Sequence, residues 1–283
     1  MIKISRRDFI RSAALGAAVP LASRRMFSST DSASGAAARE PLFSLGLASY
    51  TLREFNLDQT IEMTRRVGLE KIVLKSMHLP LESPEEAILA ASAKVRASGL
   101  DLYGCGVVYM ANQAEVDQAF KYAKTAGMRL IIGVPNHELL EYVNRKVADS
   151  GIGLAIHNHG PEDKLYPTPA SVYEKIGGLD QRVGLCIDVG HTVRSGVDPA
   201  EAARRFADRL LDVHIKDVTA ATREGTTVEM GRGVIDIPGF IRTLIDLKYG
   251  GVLAFEYEKD GKDPLPGLAE SVGYLRGVLR TLA

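Results

Sequence analysis

Two imidazoles end an apolar run near the middle of the chain. The segment Leu154–Gly160 begins with apolar residues and continues with His157, Asn158 and His159 before a glycine. A continuous apolar run of this kind indicates a strand that is covered on both faces. Side chains at positions i and i+2 of a strand point to the same side, so we expect His157 and His159 to face together. Such a strand end either reaches solvent or contributes to a site.

Three later apolar runs are each interrupted by one polar residue, namely Asp188, His214 and Glu256. A carboxylate buried without a partner is costly, so it needs a cation or hydrogen-bond donors. On three consecutive strands, these side chains could converge on one divalent ion. Mixed imidazole and carboxylate ligands favour Mn²⁺, Co²⁺, Zn²⁺ or Fe²⁺ over Ca²⁺. The alternative for Glu256 is an ion pair with a buried lysine such as Lys75 or Lys216.

The elements that must position these side chains alternate regularly. From Phe43 onward, a strand-like run is followed by a helical segment eight times, with strand ends near Tyr50, His78, Tyr109, Pro135, His159, His191, Asp217 and Glu258. Eight such units predict an α/β fold, the closed (β/α)8 TIM barrel. An open doubly wound sheet usually has a glycine-rich phosphate turn after its first strand, and residues 48–52 do not fit that pattern.

The ionisable side chains fall on one side of this predicted barrel. All six histidines lie at or just beyond a predicted strand end, and none lies in a predicted helix: His78, His137, His157, His159, His191 and His214. The acids at the same ends are Asp188, Asp217, Glu256 and Glu258. The carboxyl ends of TIM-barrel strands form the rim on which active sites are built. The sequence therefore predicts a site at this rim.

The N-terminal residues resemble an export signal. Arg6-Arg7 precedes Phe9-Ile10, and an alanine-rich apolar run follows that is shorter than a membrane-spanning helix requires. We predict a twin-arginine signal and linker at residues 1–38, one barrel domain at 39–283 and a periplasmic or otherwise exported location. The alternative is a disordered basic tail. No later stretch is long and apolar enough for a stable membrane span.

The composition limits the partners of the protein. Its 35 basic residues balance 35 acidic residues, so there is no cationic field for nucleic acid. Cys105 and Cys186 lie in apolar runs and are expected to be buried free thiols. The expected partner is a small molecule. The sequence does not determine the oligomeric state, and a homodimer is compatible with it.

Four strand ends together resemble the sugar phosphate isomerase/epimerase family, which has the xylose isomerase-like TIM barrel. They are Ala155-Ile156-His157-Asn158-His159, Cys186-Ile187-Asp188-Val189-Gly190-His191, Val213-His214-Ile215-Lys216-Asp217 and Ala254-Phe255-Glu256. Residues 231–236 and 249–251 are similar to the family's approach to the eighth strand. The resemblance covers nearly all of residues 39–283.

The resemblance implies a divalent metal, Mn²⁺, Co²⁺ or Zn²⁺, held by His157, Asp188, His214 and Glu256. The family usually has glutamate at the first of these positions, so this set has two carboxylates rather than three. In the family's epimerases that glutamate is one of two acid/base groups. Glu256 then remains as one base, and His157, His159, His191 or Lys75 would supply the other. The side chains expected to contact substrate are His78, Lys75, His191, Lys216 and Tyr109.

Three main hypotheses for function follow. The first is an exported metal-dependent isomerase or epimerase that abstracts a proton next to the carbonyl of a sugar or sugar derivative. The second is a 3-keto-glycoside lyase or hydratase, which shares this first step and continues by β-elimination. The third is a non-catalytic sugar-binding barrel without a tightly bound metal. The neutral net charge of the chain argues against a fourth hypothesis, a DNA-repair endonuclease of the same superfamily.

Overall fold

The computed structural model describes residues 41–282, and eight parallel strands in it close into a barrel. Each strand pairs with its neighbours along the chain, and the first pairs with the last. The strands are β1 (Ser44–Ala48), β2 (Lys71–Leu74), β3 (Asp101–Met110), β4 (Leu130–Pro135), β5 (Gly153–His157), β6 (Val183–Asp188), β7 (Leu210–Ile215) and β8 (Val252–Phe255). The predicted TIM barrel is confirmed. The predicted export signal lies outside the described residues and stays a prediction.

Helices follow the strands and pack against the barrel. They are α1 (Leu57–Arg66), α2 (Glu85–Ala97), α3 (Gln113–Thr125), α4 (Leu140–Ser150), α5 (Pro169–Ile176), α6 (Val189–Arg194), α7 (Pro199–Arg205), α8 (Ile237–Asp246) and α9 (Leu265–Leu282). Local sequence sets their ends. Asn56 caps α1 in a reciprocal capping box with Gln59, and α4 ends at Gly151 with a left-handed φ of 73°.

The strands are apolar because both of their faces are covered. Every residue of β5 and of β6 is buried, as expected for parallel strands between a barrel interior and a helical layer. The polar exceptions on these two strands are His157 and Asp188, which are the last residues of β5 and β6. The barrel thus delivers buried polar groups to the carboxyl ends of its strands.

The short helix α6 departs from the sequence prediction. It begins directly after β6, so His191 lies in a helix, and the expectation that no histidine would do so is wrong. The cause is local capping. One carboxylate oxygen of Asp188 accepts the backbone N–H of His191 at 2.7 Å, and the Thr192 hydroxyl donates to the Asp188 carbonyl at 2.6 Å. Asp188 therefore ends a strand and caps a helix.

The long connection between β7 and β8 is folded over the rim. Asp217–Val218 pairs in antiparallel fashion with Thr227–Val228. The buried carboxylate of Asp217 accepts four backbone N–H groups, those of Val218, Gly231, Gly233 and Ile235, at 2.9–3.2 Å. One side chain thus fastens both ends of this loop to the end of β7.

Cys105 and Cys186 are both buried and unpaired, as expected. Across residues 41–282, no helix combines the length and the apolar character that crossing a membrane requires.

Candidate metal centre and substrate cavity

Four side chains meet beneath the rim, one from the end of each of the strands β5 to β8. They are His157, Asp188, His214 and Glu256, and one donor atom of each lies within 4.8 Å of the others. Nε2 of His157 is 3.1 Å from Nδ1 of His214 and 3.4 Å from Oδ2 of Asp188. Nδ1 of His214 is 3.3 Å from Oε2 of Glu256. The predicted ligand set is therefore assembled in space, with side-chain exposures of only 0–8 %.

These distances fit a divalent cation. Donor atoms that lie about 2.0–2.2 Å from one ion are separated by about 3 Å at octahedral angles and about 3.5 Å at tetrahedral angles. Oδ2 of Asp188 is buried and makes no hydrogen bond, and it lies 3.0 Å from the Lys216 ammonium, so this oxygen already faces a positive charge. Two imidazoles and two carboxylates suit Mn²⁺, Co²⁺ or Zn²⁺.

A buried ammonium lies against the same carboxylates. Nζ of Lys216 donates a hydrogen bond to Oε2 of Glu256 at 2.8 Å, lies 3.0 Å from Oδ2 of Asp188 and also pairs with Glu258. The Lys216 side chain is 3 % exposed. The ion pair considered as the alternative for Glu256 is thus present, and it uses oxygens that belong to the ligand set. Lys216 and a metal would share these oxygens.

The charges of this cluster follow from burial and pairing. Burial alone would lower the pKa of Lys216, but Asp188, Glu256 and Glu258 raise it well above its usual value. Burial alone would raise the pKa of Glu256, but Lys216 and His214 hold it well below its usual value. Lys216 is therefore protonated and Glu256 is ionised at neutral pH.

The imidazoles that face the rim are neutral. Burial lowers the pKa of His157 to about 4 and that of His159 to about 2, and it also lowers the pKa of His191. The His157 and His159 ring centroids are 4.3 Å apart, so the two rings do face together as predicted. A neutral imidazole has one lone pair and one N–H, so it can bind a metal, or accept from or donate to a hydroxyl group.

A cavity of 320 Å³ opens above the cluster. Its lining comes from both halves of the barrel rim and consists of Tyr50, Lys75, Val107, Tyr109, His157, His159, His191, Glu256 and Glu258. His157 and Glu256 connect the cavity to the cluster, whereas Asp188 and His214 lie below it. The cavity is large enough for a small ligand. Six of the predicted site residues line it.

The far wall of this cavity is provided by β2 and β3. Nζ of Lys75 donates to the Val107 carbonyl at 2.6 Å and lies 5.9 Å from the centre of the Tyr109 ring. Burial lowers the pKa of Lys75. The Tyr109 hydroxyl lies 3.2 Å from Nε2 of His159, which links this wall to the histidine side. A ligand in this cavity would lie between a basic wall and the candidate metal ligands.

Two predicted contact residues lie elsewhere. His78 is buried behind the rim, with Nδ1 2.9 Å from the Ser49 hydroxyl and Nε2 3.0 Å from the Leu52 carbonyl. Ser49 in turn accepts the backbone N–H of Lys75 at 2.7 Å, so His78 supports the segment that presents Lys75. Lys216 lies behind the cavity wall described above and lines a different, larger cavity.

Sequence reasoning gave no role to three residues that organise the site. Glu258 lies two residues after Glu256, and this spacing at a strand end could have indicated a second carboxylate on the same side. Asn158 donates to the Thr192 hydroxyl and accepts the backbone N–H of Asp188, both at 3.1 Å, and so joins β5 to β6. Asp217 was noted only as an acid, whereas it holds the loop.

Comparison with known proteins places these observations in context. The profile of the xylose isomerase-like TIM barrel matches residues 53–278. Rhizopine catabolism protein MocC of Rhizobium meliloti is 32 % identical over 144 residues, which are 46 % of this chain and 44 % of that protein. Inosose dehydratase of Clostridium botulinum (strain Alaska E43 / Type E3) is 26 % identical over 155 residues, 48 % of each chain. The chain thus spans about half the length of these curated relatives.

Solved structures share the fold over a longer part of the chain. The structure of L-ribulose 3-epimerase superimposes with a TM-score of 0.69 and 18 % sequence identity, and it covers 85 % of this chain and 95 % of the epimerase. At this level of identity the similarity concerns the barrel. Chemistry must be argued from the side chains at the rim.

Proposed function

Because the chain belongs to the xylose isomerase-like TIM barrel family, we propose that it is a metal-dependent enzyme that removes a proton next to the carbonyl of a carbohydrate or carbohydrate derivative. One observation carries this proposal. His157, Asp188, His214 and Glu256 form a buried cluster with the spacing of metal ligands, directly beneath a polar cavity of 320 Å³. A divalent ion bound there would polarise the carbonyl and stabilise the enediolate charge.

The residues of the chain supply the remaining parts of the reaction. Glu256 lines the cavity as an ionised carboxylate and is the base that accepts the proton. The neutral imidazoles of His159 and His191 bind substrate hydroxyls. Lys75 and Tyr109 hold the opposite side of the sugar ring, since both line the cavity from the other half of the rim.

The residue at the end of β5 favours elimination as the second step. Epimerisation requires an acid/base group on each face of the carbon, and His157 occupies the position where the family usually has one of its two glutamates. β-Elimination needs only one base at that carbon: the C–O bond at the next carbon then breaks, and the departing oxygen takes up the proton that Glu256 removed, so the substituent leaves as an alcohol. We therefore favour a carbon–oxygen lyase acting on a keto-sugar such as a 3-keto-glycoside. The dehydratase among the curated relatives supports this choice.

The second candidate function is an epimerase or isomerase, and the position of Lys75 supports it. Its amine lies on the wall that faces the metal centre, and burial lowers its pKa, which suits proton transfer. It could return a proton from the face opposite to Glu256. Export through the twin-arginine signal is also part of the proposal, and it would place the enzyme among extracytoplasmic sugars.

Incubation with 3-keto-glucosides in heavy water tests these alternatives. The protein loaded with Co²⁺ or Mn²⁺ is expected to release the aglycone, and Glu256→Gln is expected to abolish this release. If deuterium is incorporated while the glycoside stays intact, the activity is that of an epimerase and not of a lyase. A protein that takes up no metal and leaves the 3-keto-glucosides unchanged would favour the sugar-binding barrel. The exposed variant Glu86→Gln serves as the control, because Glu86 lies on α2.

A further inference from the structure

We propose that a second cavity beside the metal centre is a subsite for the leaving part of the substrate, and that this part is polyhydroxylated, such as a second sugar ring. The inference rests on the proposed function and narrows its substrate class from glycosides in general to those whose leaving part is polyhydroxylated. It is carried by the position of this cavity, by the way its wall is built and by the chemistry of its lining.

The second cavity adjoins the first. It has a volume of 540 Å³, which is within the range of small-molecule sites. Its lining includes His191 and Glu258, and the same two side chains line the 320 Å³ cavity above the metal centre. His191 and Glu258 therefore stand at the boundary. A sugar in the first cavity would direct a substituent past them into the second.

The outer wall of the second cavity is an ordered part of the fold. Residues 225–228 provide it, and the antiparallel pairing of Thr227 and Val228 with residues 217–218 holds them in place. The Thr219 N–H also donates to the Thr226 carbonyl at 2.9 Å. The four N–H groups bound by Asp217 fix the rest of the loop. The wall is thus tied to the strand that supplies His214.

The lining favours hydroxyl groups over an anion. Arg194 is engaged by Glu162 at 2.9 Å and by the Arg223 carbonyl at 2.6 Å, and Lys259 is engaged by Glu229 at 2.8 Å. These cations already have partners, so an acidic ligand would have to compete for them. Thr219, Thr226 and Thr227 line the same space. Apart from the His191 imidazole, the described lining contains no aromatic ring that would stack on an aryl group.

The boundary residue His191 is suited to the oxygen that joins the two parts of a glycoside. Its Nδ1 lies 3.1 Å from Nη1 of Arg194. Since a guanidinium only donates, Nδ1 must accept, and the ring hydrogen is on Nε2. No described residue is a hydrogen-bond partner of that Nε2. His191 thus offers a free N–H where the glycosidic oxygen would lie, with Arg194 as the positioning residue.

Binding of sugars that lack a ketone tests the subsite without turnover. Calorimetry on the Zn²⁺-loaded protein would compare methyl β-glucoside, phenyl β-glucoside and methyl β-cellobioside. We expect the disaccharide to bind at least ten times more tightly than the methyl glucoside and more tightly than the phenyl glucoside. Equal affinities, or no detectable binding, would overturn the subsite. Tighter binding of the phenyl compound would overturn the polyhydroxylated class. These comparisons use the unaltered protein.

A filled cavity provides the second measurement. Thr227→Phe places a ring in the second cavity and is expected to reduce the disaccharide's affinity to that of the methyl glucoside. Thr222→Phe is the matched control, since Thr222 is exposed on the same loop and does not line the cavity. A disaccharide advantage that survives Thr227→Phe would contradict the assignment. If the advantage is present but 3-keto-glycosides are not turned over, the proposed function fails and the subsite stands.

Discussion

Nζ of Lys216 lies 2.8 Å from Oε2 of Glu256, an oxygen that also belongs to the ligand set. A buried cation thus offsets one of the negative charges at the candidate metal site. Asp188, Glu256 and Glu258 carry three negative charges next to this ammonium. A divalent ion added to that set brings the local charge to zero. Metal affinity should therefore depend on Lys216 as well as on the ligands.

We expect Lys216→Met to bind metal more tightly while the metal-free protein loses stability. Removing one partner of a buried ion pair costs about 3–5 kcal/mol because a buried charge is left unpaired. Without the repulsion from the ammonium, the affinity for Co²⁺ should rise about tenfold, which corresponds to about 1.4 kcal/mol. Calorimetry would measure the affinity, and thermal unfolding with and without Co²⁺ would measure the stability.

The control for this prediction is Lys94→Met. Lys94 pairs with Asp58 on the surface, where an ion pair contributes little. This variant should match the unaltered protein in both measurements. Unchanged or weaker Co²⁺ binding by Lys216→Met would contradict the view that lysine and metal share the carboxylates.

The variant His157→Glu should restore the third carboxylate of the family pattern. An added negative charge at the end of β5 is expected to tighten Mn²⁺ binding at least tenfold, because hard cations prefer oxygen ligands. It also supplies a second acid/base group, so an epimerised product should accompany aglycone release from 3-keto-glucosides. Product analysis by NMR would detect it. If only the aglycone appears, the residue at 157 does not decide between the two outcomes. His137→Gln, which changes a histidine outside the cavity lining, is the control.

Asp217→Asn should loosen the loop that forms the wall of the second cavity. Each carboxylate oxygen of Asp217 accepts two backbone N–H groups. In the variant, an amide nitrogen replaces one of these oxygens and faces two N–H donors that it cannot accept. A buried donor without a partner costs about 1–3 kcal/mol. Hydrogen exchange in residues 226–235 should accelerate at least tenfold. Asp149→Asn, on an exposed position of α4, should leave these rates unchanged. Equal protection in both variants would mean that other contacts hold the loop.

Acid should destabilise the metal-free protein through its buried neutral histidines. The pKa of His159 is about 2 in the folded state, so between about pH 6.5 and 5 the unfolded chain binds a proton there that the folded chain does not. The free energy of unfolding therefore falls as the pH falls, by about 2 kcal/mol for this one group between pH 7 and 5. Urea unfolding at both values would measure the change.

The variant His159→Gln isolates this contribution. It should lose about 2 kcal/mol less than the unaltered protein over the same pH range. Asp212 and His214 have raised pKa values, so they make the free energy of unfolding rise as the pH falls. Their contributions are the same in both proteins and cancel in the comparison. Equal pH dependence in both proteins would show that His159 is not kept neutral by burial.

The barrel could be predicted because buried parallel strands leave a simple trace in the sequence. Continuous apolar runs marked β5 and β6, and the helices α3 and α5 begin and end where the pattern indicates. The helix α6 was missed because six residues that follow a strand directly are too few to show a helical period. Its cap, Asp188, was already interpreted as a ligand.

The ligand cluster was also predictable, but its surroundings were not. Asp188, His214 and Glu256 are polar residues in apolar strands, and their position at strand ends brings them together in any such barrel. The pairing of Lys216 with these carboxylates depends on where a long side chain bends, and sequence alone left it as an alternative. The placement of His78 behind the rim depends on the turn after β1, which no periodic pattern describes.

The wall of the second cavity and the metal ligands have different origins in the chain. The ligands are attached to strands, whereas the wall belongs to one loop that is fastened at both ends by Asp217. Residues 220–224 between these fastenings are mostly exposed. Substitutions in the cavity-lining part of the same loop, residues 225–228, would reshape the second cavity without disturbing the cluster at the strand ends. This division gives protein engineers a defined segment in which to change substrate range, and it offers evolution the same route to new substrates from one chemistry.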